Sequence, residues 1–172
     1  IVDEKGYFFN EVCIPMIQKF REVNGGQDPV RNFVVLNDNC QLFLHEFWAN
    51  YQYKHEFNPP HWHGGLYSFV IWMKIPYSWS EQIELPQFQT TKTNDRKAGM
   101  FEFEYADTRG ETRSLSYQLS PEFEGCMCFF PAWMRHAVYP FFGTDEERVS
   151  ISGNVWYTPG TSSSGKGFGK KK

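Results

Sequence analysis

Residues 58–76 read NPPHWHGGLYSFVIWMKIP, so a pair of prolines and two closely spaced histidines precede a long apolar and aromatic run. Aromatic and β-branched residues favour the pleated surface of a sheet, and prolines at the start of such a run mark a sheet rim. Side chains two positions apart on a strand share one face, so His61 and His63 can point to a common site while Trp62 faces away. The segment therefore predicts a β-strand that carries a histidine pair at its beginning.

Similar strand-like runs recur along most of the chain, separated by turn-forming residues such as Gly, Pro, Asn and Asp. The predicted strands are Phe33–Leu36, Cys40–Phe57, His61–Pro76, Gly99–Tyr105, Thr112–Leu119, Gly125–Phe130, His136–Pro140 and Arg148–Tyr157. Roughly eight strands with little helix between them are typical of a mostly β fold, either a β-sandwich or a double-sheet jelly roll. Residues 81–98 have no such periodicity, and we expect a long loop there, of the kind that often serves as a lid or a binding element.

Helical periodicity is confined to the N-terminal segment Tyr7–Val23, where apolar residues recur at spacings of three and four. Pro15 lies inside this segment and lacks the N–H that a continuous helix needs, so we expect a kink or two short helices. The apolar face of the segment should pack on the outside of a sheet. At the other end of the chain, residues 159–172 are mainly Gly, Ser and Lys without apolar spacing and predict a disordered tail.

The composition limits the possible classes of protein. A length of 172 residues fits one domain, which we place at residues 1–158. The net charge of −3 comes from interspersed acids and bases, so no nucleic-acid partner is expected. No apolar run approaches the roughly 20 residues needed to cross a bilayer, so no membrane partner is expected either. The four cysteines form no Cys-x-x-Cys pair, which indicates reduced thiols and a cytoplasmic location.

A third histidine closes the stretch GCMCFFPAWMRH, which combines an apolar strand with a Pro-Ala-Trp turn and ends at His136. A turn of this kind can place His136 at the mouth of a barrel, where it could meet His61 and His63 from a distant strand. Neutral imidazoles suit Fe, Zn, Cu and Ni, so the three histidines are candidate ligands of one metal ion. The remaining histidines, His45 and His55, have no partner at ligand spacing and are expected to be structural or exposed.

The last predicted strand, RVSISGNVWY, begins at Arg148 and alternates between two kinds of position. One face of this strand carries Arg148, Ser150, Ser152, Asn154 and Trp156. If this face points inward, its polar groups must find partners, and a guanidinium beside a hydroxyl suits a carboxylate ligand. The alternative is an outward Arg148 that pairs with Glu146 or Glu147 at the start of the strand.

In combination, these residues resemble the Fe(II)/2-oxoglutarate-dependent oxygenases. The pattern of that family is His-x-Asp or His-x-Glu, then a distal His, then Arg or Lys further along the chain, often as Arg-x-Ser. The matching stretches within residues 55–157 are NPPHWHGGLYSFVIWMKIP, GCMCFFPAWMRHAVYPF and ERVSISGNVWY. More closely, this part of the chain is similar to a small branch known from bacteria and phages that resembles the prolyl 4-hydroxylases.

The resemblance implies a double-stranded β-helix, which is a distorted jelly roll, with the N-terminal helical segment outside the sheet. It implies a metal site for Fe(II) formed by His61, His63 and His136. It also implies 2-oxoglutarate as the cosubstrate, with the far carboxylate on Arg148 and Ser150. Further residues expected to line the cosubstrate pocket are Tyr67, Ser68, Trp72, Asn154 and Trp156.

The implied activity is hydroxylation of a C–H bond, coupled to the oxidative decarboxylation of 2-oxoglutarate. Peptidyl-prolyl 4-hydroxylation is the nearest comparison, so the substrate would be a small molecule or a peptide. The oligomeric state is not indicated by the sequence. For a phage-encoded protein, the expected cytoplasmic location would be that of the host.

The sequence departs from the family pattern at one ligand, because His63 stands where the family has a carboxylate. Three neutral imidazoles would leave the site with one negative charge fewer. Alternatively, water or another carboxylate fills that position, and Asp107 is the nearby acid to consider. Two other functions stay open, namely a cupin-like three-histidine metalloprotein that does not use 2-oxoglutarate and a structural or carbohydrate-binding jelly roll.

Overall fold

The computed structural model describes residues 1–29, 40–90, 92–93 and 95–158. The predicted strand Phe33–Leu36 and the predicted tail 159–172 lie outside these residues. The strands are β1 Leu42–Gln52, β2 Asn58–His61, β3 Tyr67–Lys74, β4 Met100–Ala106, β5 Thr112–Gln118, β6 Met127–Pro131, β7 Arg135–Val138 and β8 Arg148–Tyr157. The described part of the chain is therefore mostly β, as the sequence predicts.

The strands form two antiparallel sheets of four strands each. The first sheet has the order β1-β8-β3-β6, and the second has the order β2-β7-β4-β5. The chain crosses from one sheet to the other at six of its seven strand-to-strand connections, so most sequential strands lie in different sheets. The two terminal strands, β1 and β8, pair along nearly their whole length. This arrangement is consistent with a β-sandwich or jelly roll.

Aromatic side chains from both sheets meet in one apolar core. Trp72 of β3 contacts Phe101 of β4 with ring centroids 5.8 Å apart, and Phe103 of β4 contacts Phe130 of β6 at 4.8 Å. All four residues are buried. Burial of each such ring stabilises the fold by about 1.5–3 kcal/mol, and edge-to-face pairs add to this, so the contacts between these rings hold the sheets together.

The N-terminal helical segment packs on the outer face of the first sheet. A 3₁₀ turn at Glu4–Gly6 and a π-helical turn at Phe9–Cys13 lead into helix α1, Ile14–Val23. Pro15 is the second residue of α1 and directly follows the π-helical turn, in which the Ile14 N–H donates to the Phe9 carbonyl. Cys13 and Ile14 keep helical φ/ψ, so the segment is one helix that changes from π-helical to α-helical before Pro15, and the expected pair of short helices is not seen. The expected packing outside the sheet is confirmed through the apolar cluster formed around Cys13 and Ile17.

One predicted strand is in fact two. The run His61–Pro76 divides at Gly64-Gly65, because β2 ends in the second sheet and β3 begins in the first sheet. Gly65 has φ +95°, and a Cβ there would lie 2.8 Å from the ring of Trp156. The prediction of one continuous strand was wrong because two glycines let the chain turn sharply beneath Trp156.

The predicted loop 81–98 also needs correction. Two short helices, α2 Trp79–Glu84 and α3 Pro86–Gln89, occupy its first half, and a further 3₁₀ turn lies at Pro121–Phe123. Gln82 anchors α2, since its amide donates to the Phe142 carbonyl (3.0 Å) and accepts from the Phe142 N–H (2.7 Å). Helices this short show no periodicity, and a distant contact decides their conformation. Across the described residues, no helix has the length and apolarity needed to span a membrane.

Candidate active site

A cavity of about 280 Å³ lies between the two sheets. His61, His63 and His136 line it on one side. Arg148 lines the same cavity together with polar residues of β8. Apolar side chains such as Val70 complete the wall. The cavity therefore combines a cluster of imidazoles, a guanidinium and a partly apolar wall, which are the components of a small-ligand site.

The three histidines converge although they belong to different segments. His61 ends β2, His63 follows in the connection to β3, and His136 lies on β7 directly opposite His61 in the strand register. The ring centroids of His61 and His136 are 4.3 Å apart, and the other two pairs are 5.1 Å apart. One ligand atom from each ring lies within 4.8 Å of the others. Since metal–nitrogen bonds are about 2.1 Å long, small side-chain rotations bring all three nitrogens to one ion.

Two of the imidazoles are oriented by backbone carbonyls. Nδ1 of His61 lies 2.7 Å from the Pro59 oxygen, and Nδ1 of His136 lies 3.0 Å from the Met134 oxygen. A carbonyl can only accept, so Nδ1–H donates in both rings and Nε2 is left with its lone pair for a metal. In each case the carbonyl lies two residues before the histidine, so the local bend of the chain fixes the ring.

Burial keeps two of the three imidazoles, those of His63 and His136, neutral. His136 is only 4% exposed, and desolvation lowers its pKa to about 4, helped by the nearby His61 and His63. Desolvation and the neighbouring His61 also lower the pKa of His63, while Glu46 opposes this shift. At neutral pH both residues are therefore neutral imidazoles, the form that binds a metal ion.

Asp107 does not join the histidines. Its carboxylate accepts hydrogen bonds from the backbone N–H groups of Arg109 and Glu111 and pairs with Arg113 at 3.0 Å. Asp107 therefore closes its own turn after β4. Within the described ranges, the only metal-competent group that includes the cavity histidines is the three-histidine set, so the alternative of Asp107 as a ligand is not supported.

Arg148 is buried without a carboxylate partner in the described part of the chain. It is 3% exposed, and its Nη1 donates to the Tyr77 hydroxyl at 2.5 Å. Its Nη2 donates to the Gln52 side-chain oxygen and, at 3.4 Å, to the Tyr139 carbonyl. Burial lowers the pKa of Arg148, although Tyr77 opposes this, and an arginine stays charged in a protein. A buried cation of this kind is costly without an anion and so marks an anion site.

The alternative of an outward Arg148 is excluded by the same geometry. Glu146 forms its ion pair with Lys74 at 2.7 Å, and Glu147 interacts with the Tyr53 hydroxyl. Neither acid is a partner of Arg148.

The predicted inward face of β8 reaches the cavity for most of its length. Four residues of that face line the cavity, namely Arg148, Ser150, Ser152 and Asn154. Ser68 of β3 also lines the cavity, and its hydroxyl donates to the Asn154 side-chain oxygen at 2.5 Å. Trp72 lines it as well. Trp156 does not, because it lies over Gly65 and against the ring of His45.

Tyr67 is a correction to the predicted pocket. It lies on the opposite face of β3 from Ser68, because neighbouring residues of a strand alternate. Its hydroxyl donates to Asp28 at 2.5 Å, and its ring contacts Phe20 edge-on at 5.2 Å. Tyr67 therefore attaches the N-terminal segment to the first sheet and does not line the cavity.

The other two histidines lie outside the cluster, as expected. His45 sits at a β-bulge in β1 and contacts the rings of Phe43 and Trp156. His55 has a positive φ of 72° and packs edge-on against Phe142.

The cavity wall contributed by β1 was not predicted from the sequence. Trp48, Asn50 and Gln52 line the cavity and stand opposite Ser152, Ser150 and Arg148 in the register, and Glu46 stands opposite Asn154. The Asn50 amide donates to Ser152 at 3.2 Å, and Trp48 donates to Asn50 at 3.0 Å. A signal was present, because residues 46–53, EFWANYQY, alternate these four with Phe, Ala and Tyr. Tyr77 was also missed, and nothing in its local sequence indicates its contact with Arg148.

Comparison with known proteins agrees with this geometry. The sequence profile of a family described as "Putative 2OG-Fe(II) oxygenase" matches residues 46–154. The matched segment begins in β1, ends in β8 and contains the three histidines and Arg148. A search of curated proteins finds no match to this chain.

The residues present fit the groups that this family implies, which are Fe(II) and 2-oxoglutarate. Three converging imidazoles, of which His61 and His136 have Nε2 free for a metal, are suitable donors for Fe(II), and a buried guanidinium without a carboxylate partner among the described residues is suitable for the cosubstrate. The profile covers more than half of the chain, and this protein therefore belongs to the 2OG-Fe(II) oxygenase family.

Proposed function

We propose that this protein is a non-haem Fe(II)- and 2-oxoglutarate-dependent hydroxylase. In this proposal His61, His63 and His136 hold the iron, while Arg148 and Ser150 bind the far carboxylate of 2-oxoglutarate. The observation that carries the proposal is the buried Arg148, which lines the same cavity as the three imidazoles and has no carboxylate partner among the described residues. A metalloprotein without an anionic cosubstrate would have no use for this buried charge.

Iron, when bound, would supply the activation of oxygen and the oxidation of a C–H bond coupled to decarboxylation of 2-oxoglutarate. The protein would supply binding, orientation and exclusion of water. Arg148 matches a carboxylate in charge and geometry. The hydrogen-bonded pair Ser68 and Asn154 fixes another part of the cavity wall, and both residues are 1% exposed. Apolar residues such as Val70 and Phe101 keep the remaining wall dry.

The charge of this site differs from the usual family pattern. His63 adds no negative charge, so the metal centre would be more positive than one with a carboxylate ligand. Glu46 is the acid that acts electrostatically on His63, and it accepts a hydrogen bond from Asn154. We infer that Glu46 partly compensates the missing charge without being a ligand.

We further assign the fold as a double-stranded β-helix. The support is the strand order, in which β1-β8-β3-β6 faces β2-β7-β4-β5 and the terminal strands pair with each other. The assignment to a bacterial or phage branch and the cytoplasmic location stay predictions from the sequence.

For the substrate, we propose a small molecule or a peptide, with peptidyl proline as the first candidate. The support is an open groove of about 650 Å³ beside the metal cluster. Its lining includes Trp62, Tyr105 and Trp133, all of them exposed aromatic residues. Trp62 stands between two of the proposed ligands and is 52% exposed. Exposed aromatic faces suit the flat, apolar surface of a proline ring.

The test is turnover of 2-oxoglutarate to succinate by the purified protein with Fe(II) and oxygen, followed together with anaerobic binding of 2-oxoglutarate to the Mn(II) form. We expect turnover that requires Fe(II), and binding that requires Arg148. If the wild-type protein neither turns over nor binds 2-oxoglutarate, the proposal is contradicted. Metal binding without any 2-oxoglutarate binding would instead support the cupin-like three-histidine metalloprotein.

A further inference from the structure

The Nη2 atom of the Arg148 guanidinium already makes two hydrogen bonds within the protein. A carboxylate binds a guanidinium in bidentate fashion either through Nε and Nη2 or through Nη1 and Nη2, so both modes use Nη2. Here Nη2 already donates to the Gln52 side-chain oxygen and to the Tyr139 carbonyl. A carboxylate that binds Arg148 in bidentate fashion must therefore take the place of one of these acceptors.

Of the two acceptors, the Tyr139 carbonyl is the fixed one. It belongs to the backbone, and the Tyr139 N–H donates to the Met100 carbonyl at 2.9 Å, which ties this part of the chain to β4. The Tyr139 hydroxyl is bound separately, to Glu102 at 3.1 Å. Its carbonyl can therefore move only if the backbone moves.

The Gln52 side chain, in contrast, can move. Gln52 is the last residue of β1, and its amide nitrogen donates to the exposed Glu56 carbonyl at 2.5 Å. It lines the cavity and also an adjacent open groove of about 650 Å³ formed with the 55–58 segment. A rotation of its side chain therefore has space available outside the cavity.

The third partner, Tyr77, is held on several sides. Its hydroxyl donates to the Gly99 carbonyl at 3.2 Å, and its ring stacks on Phe141 at 4.8 Å. A Cβ on Gly99 would lie 2.5 Å from the Tyr77 ring, so the absence of a side chain at Gly99 permits this close packing. Tyr77 contacts Nη1 and leaves Nη2 available for exchange.

We propose that Gln52 is the exchangeable partner of Arg148, whose side-chain oxygen competes with the cosubstrate carboxylate for the Nη2 edge of the guanidinium. This inference rests on the proposed function, in which Arg148 binds 2-oxoglutarate. Gln52 then sets the affinity for the cosubstrate without being required for its binding. The contact between Gln52 and Arg148 must break before a bidentate carboxylate can bind. The free energy of this contact therefore lowers the affinity for 2-oxoglutarate.

Two substitutions at Gln52 have opposite expected effects. Gln52→Ala removes the side-chain oxygen that competes for Arg148. A hydrogen bond to a charged group is strong enough to change an equilibrium about tenfold. The variant should therefore bind 2-oxoglutarate roughly three- to tenfold more tightly than the wild type. Gln52→Glu places a permanent carboxylate on the same edge at nearly the same size. Cosubstrate binding should then weaken by about 100-fold or more, because an ion pair must break.

The experiment is calorimetric titration of 2-oxoglutarate into the Mn(II)-loaded full chain, with the unfolding midpoint and the Mn(II) affinity recorded for every variant. Gln118→Ala and Gln118→Glu are matched controls, since Gln118 is exposed on β5 outside the cavity lining. Mn(II) affinity should be unchanged in both Gln52 variants. Gln52→Met, which keeps the length of the side chain without the amide oxygen, should repeat the result of Gln52→Ala and replaces it if that variant does not fold.

A purely structural Gln52 would lower the unfolding midpoint without tightening cosubstrate binding. Unchanged or weaker binding by Gln52→Ala, or wild-type binding by Gln52→Glu, would overturn the proposal. If wild-type protein loaded with Mn(II) does not bind 2-oxoglutarate at all, the proposed function itself is wrong, and the two failures are thereby distinguished.

Discussion

The two ends of the cavity are constructed in different ways. At the metal end, burial keeps His63 and His136 neutral, and carbonyls two residues away orient His61 and His136. At the anion end, Arg148 carries a buried charge and depends on partners 71 and 96 residues away in sequence. The orientation of the metal end is therefore determined largely by local sequence, whereas the anion end carries a buried charge and depends on the assembled fold. Substitutions at the two ends should consequently separate metal binding from cosubstrate binding.

The largest expected effect is at the metal end. His136→Ala removes the most buried of the three imidazoles, and metal affinity should fall by more than about 100-fold, beyond the loss typical of a supporting residue. Metal content after equilibration with Fe(II) or Mn(II) measures this. His45→Ala is the matched control, because His45 is exposed and lies outside the cluster, and it should bind metal like the wild type. Equal metal content in the two variants would show that the three histidines do not form the metal site.

The next effect is at the anion end and should leave the metal end unchanged. Arg148→Met should weaken 2-oxoglutarate binding on the order of 100-fold, since truncating one partner of a charge pair costs about 2–5 kcal/mol. Arg148→Lys should be intermediate because an ammonium cannot bind in bidentate fashion. Titration with 2-oxoglutarate and with Mn(II) separates the two affinities. A parallel loss of Mn(II) binding would show that the two ends are not independent.

The same Arg148→Met variant has an expected effect on stability. A buried charge without a counter-ion is costly, and replacing it by an apolar residue of similar length is often neutral or stabilising. The unfolding midpoint of Arg148→Met should therefore equal or exceed that of the wild type in the absence of added ligand. A clear decrease would mean that the contacts with Tyr77 and Gln52 outweigh the cost of burying the charge.

A smaller effect is expected from the support of the guanidinium. Tyr77→Phe keeps the ring that stacks on Phe141 but removes the hydroxyl that accepts from Arg148, so cosubstrate binding should weaken by about tenfold with unchanged metal affinity. Tyr139→Phe is the matched control, because it removes a hydroxyl that binds Glu102 and keeps the carbonyl near Arg148. Similar cosubstrate affinities for the two variants would contradict a positioning role of the Tyr77 hydroxyl.

The difference between the two ends also explains what could be predicted from the sequence. The metal end depends on short-range features, since the His-x-His pair and the Pro-Ala-Trp turn before His136 carry their own orientation. The structure brings all three histidines together although His63 lies on a connection and not on a strand. The incorrect prediction of a continuous strand through His63 does not change the proposed ligand set, because the turn at Gly64-Gly65 begins after His61 and His63.

Only some residues of the anion end could be predicted from the sequence. Alternation along β8 identifies Arg148 and Ser150, because side chains two positions apart on a strand share one face in any sheet. The partners Tyr77 and Gln52 could not be found in this way, since their contacts depend on how distant segments pack. The same reason led to the misplacement of Tyr67, whose face of β3 is decided by the N-terminal segment that covers it.

The most direct test of the account is an anaerobic crystal structure of the protein with Mn(II) and 2-oxoglutarate. The account predicts one ion within bonding distance of His61, His63 and His136, and one end of the cosubstrate paired with Arg148 across the same cavity. An ion bound elsewhere, or a cosubstrate that leaves Arg148 without a carboxylate, would contradict it.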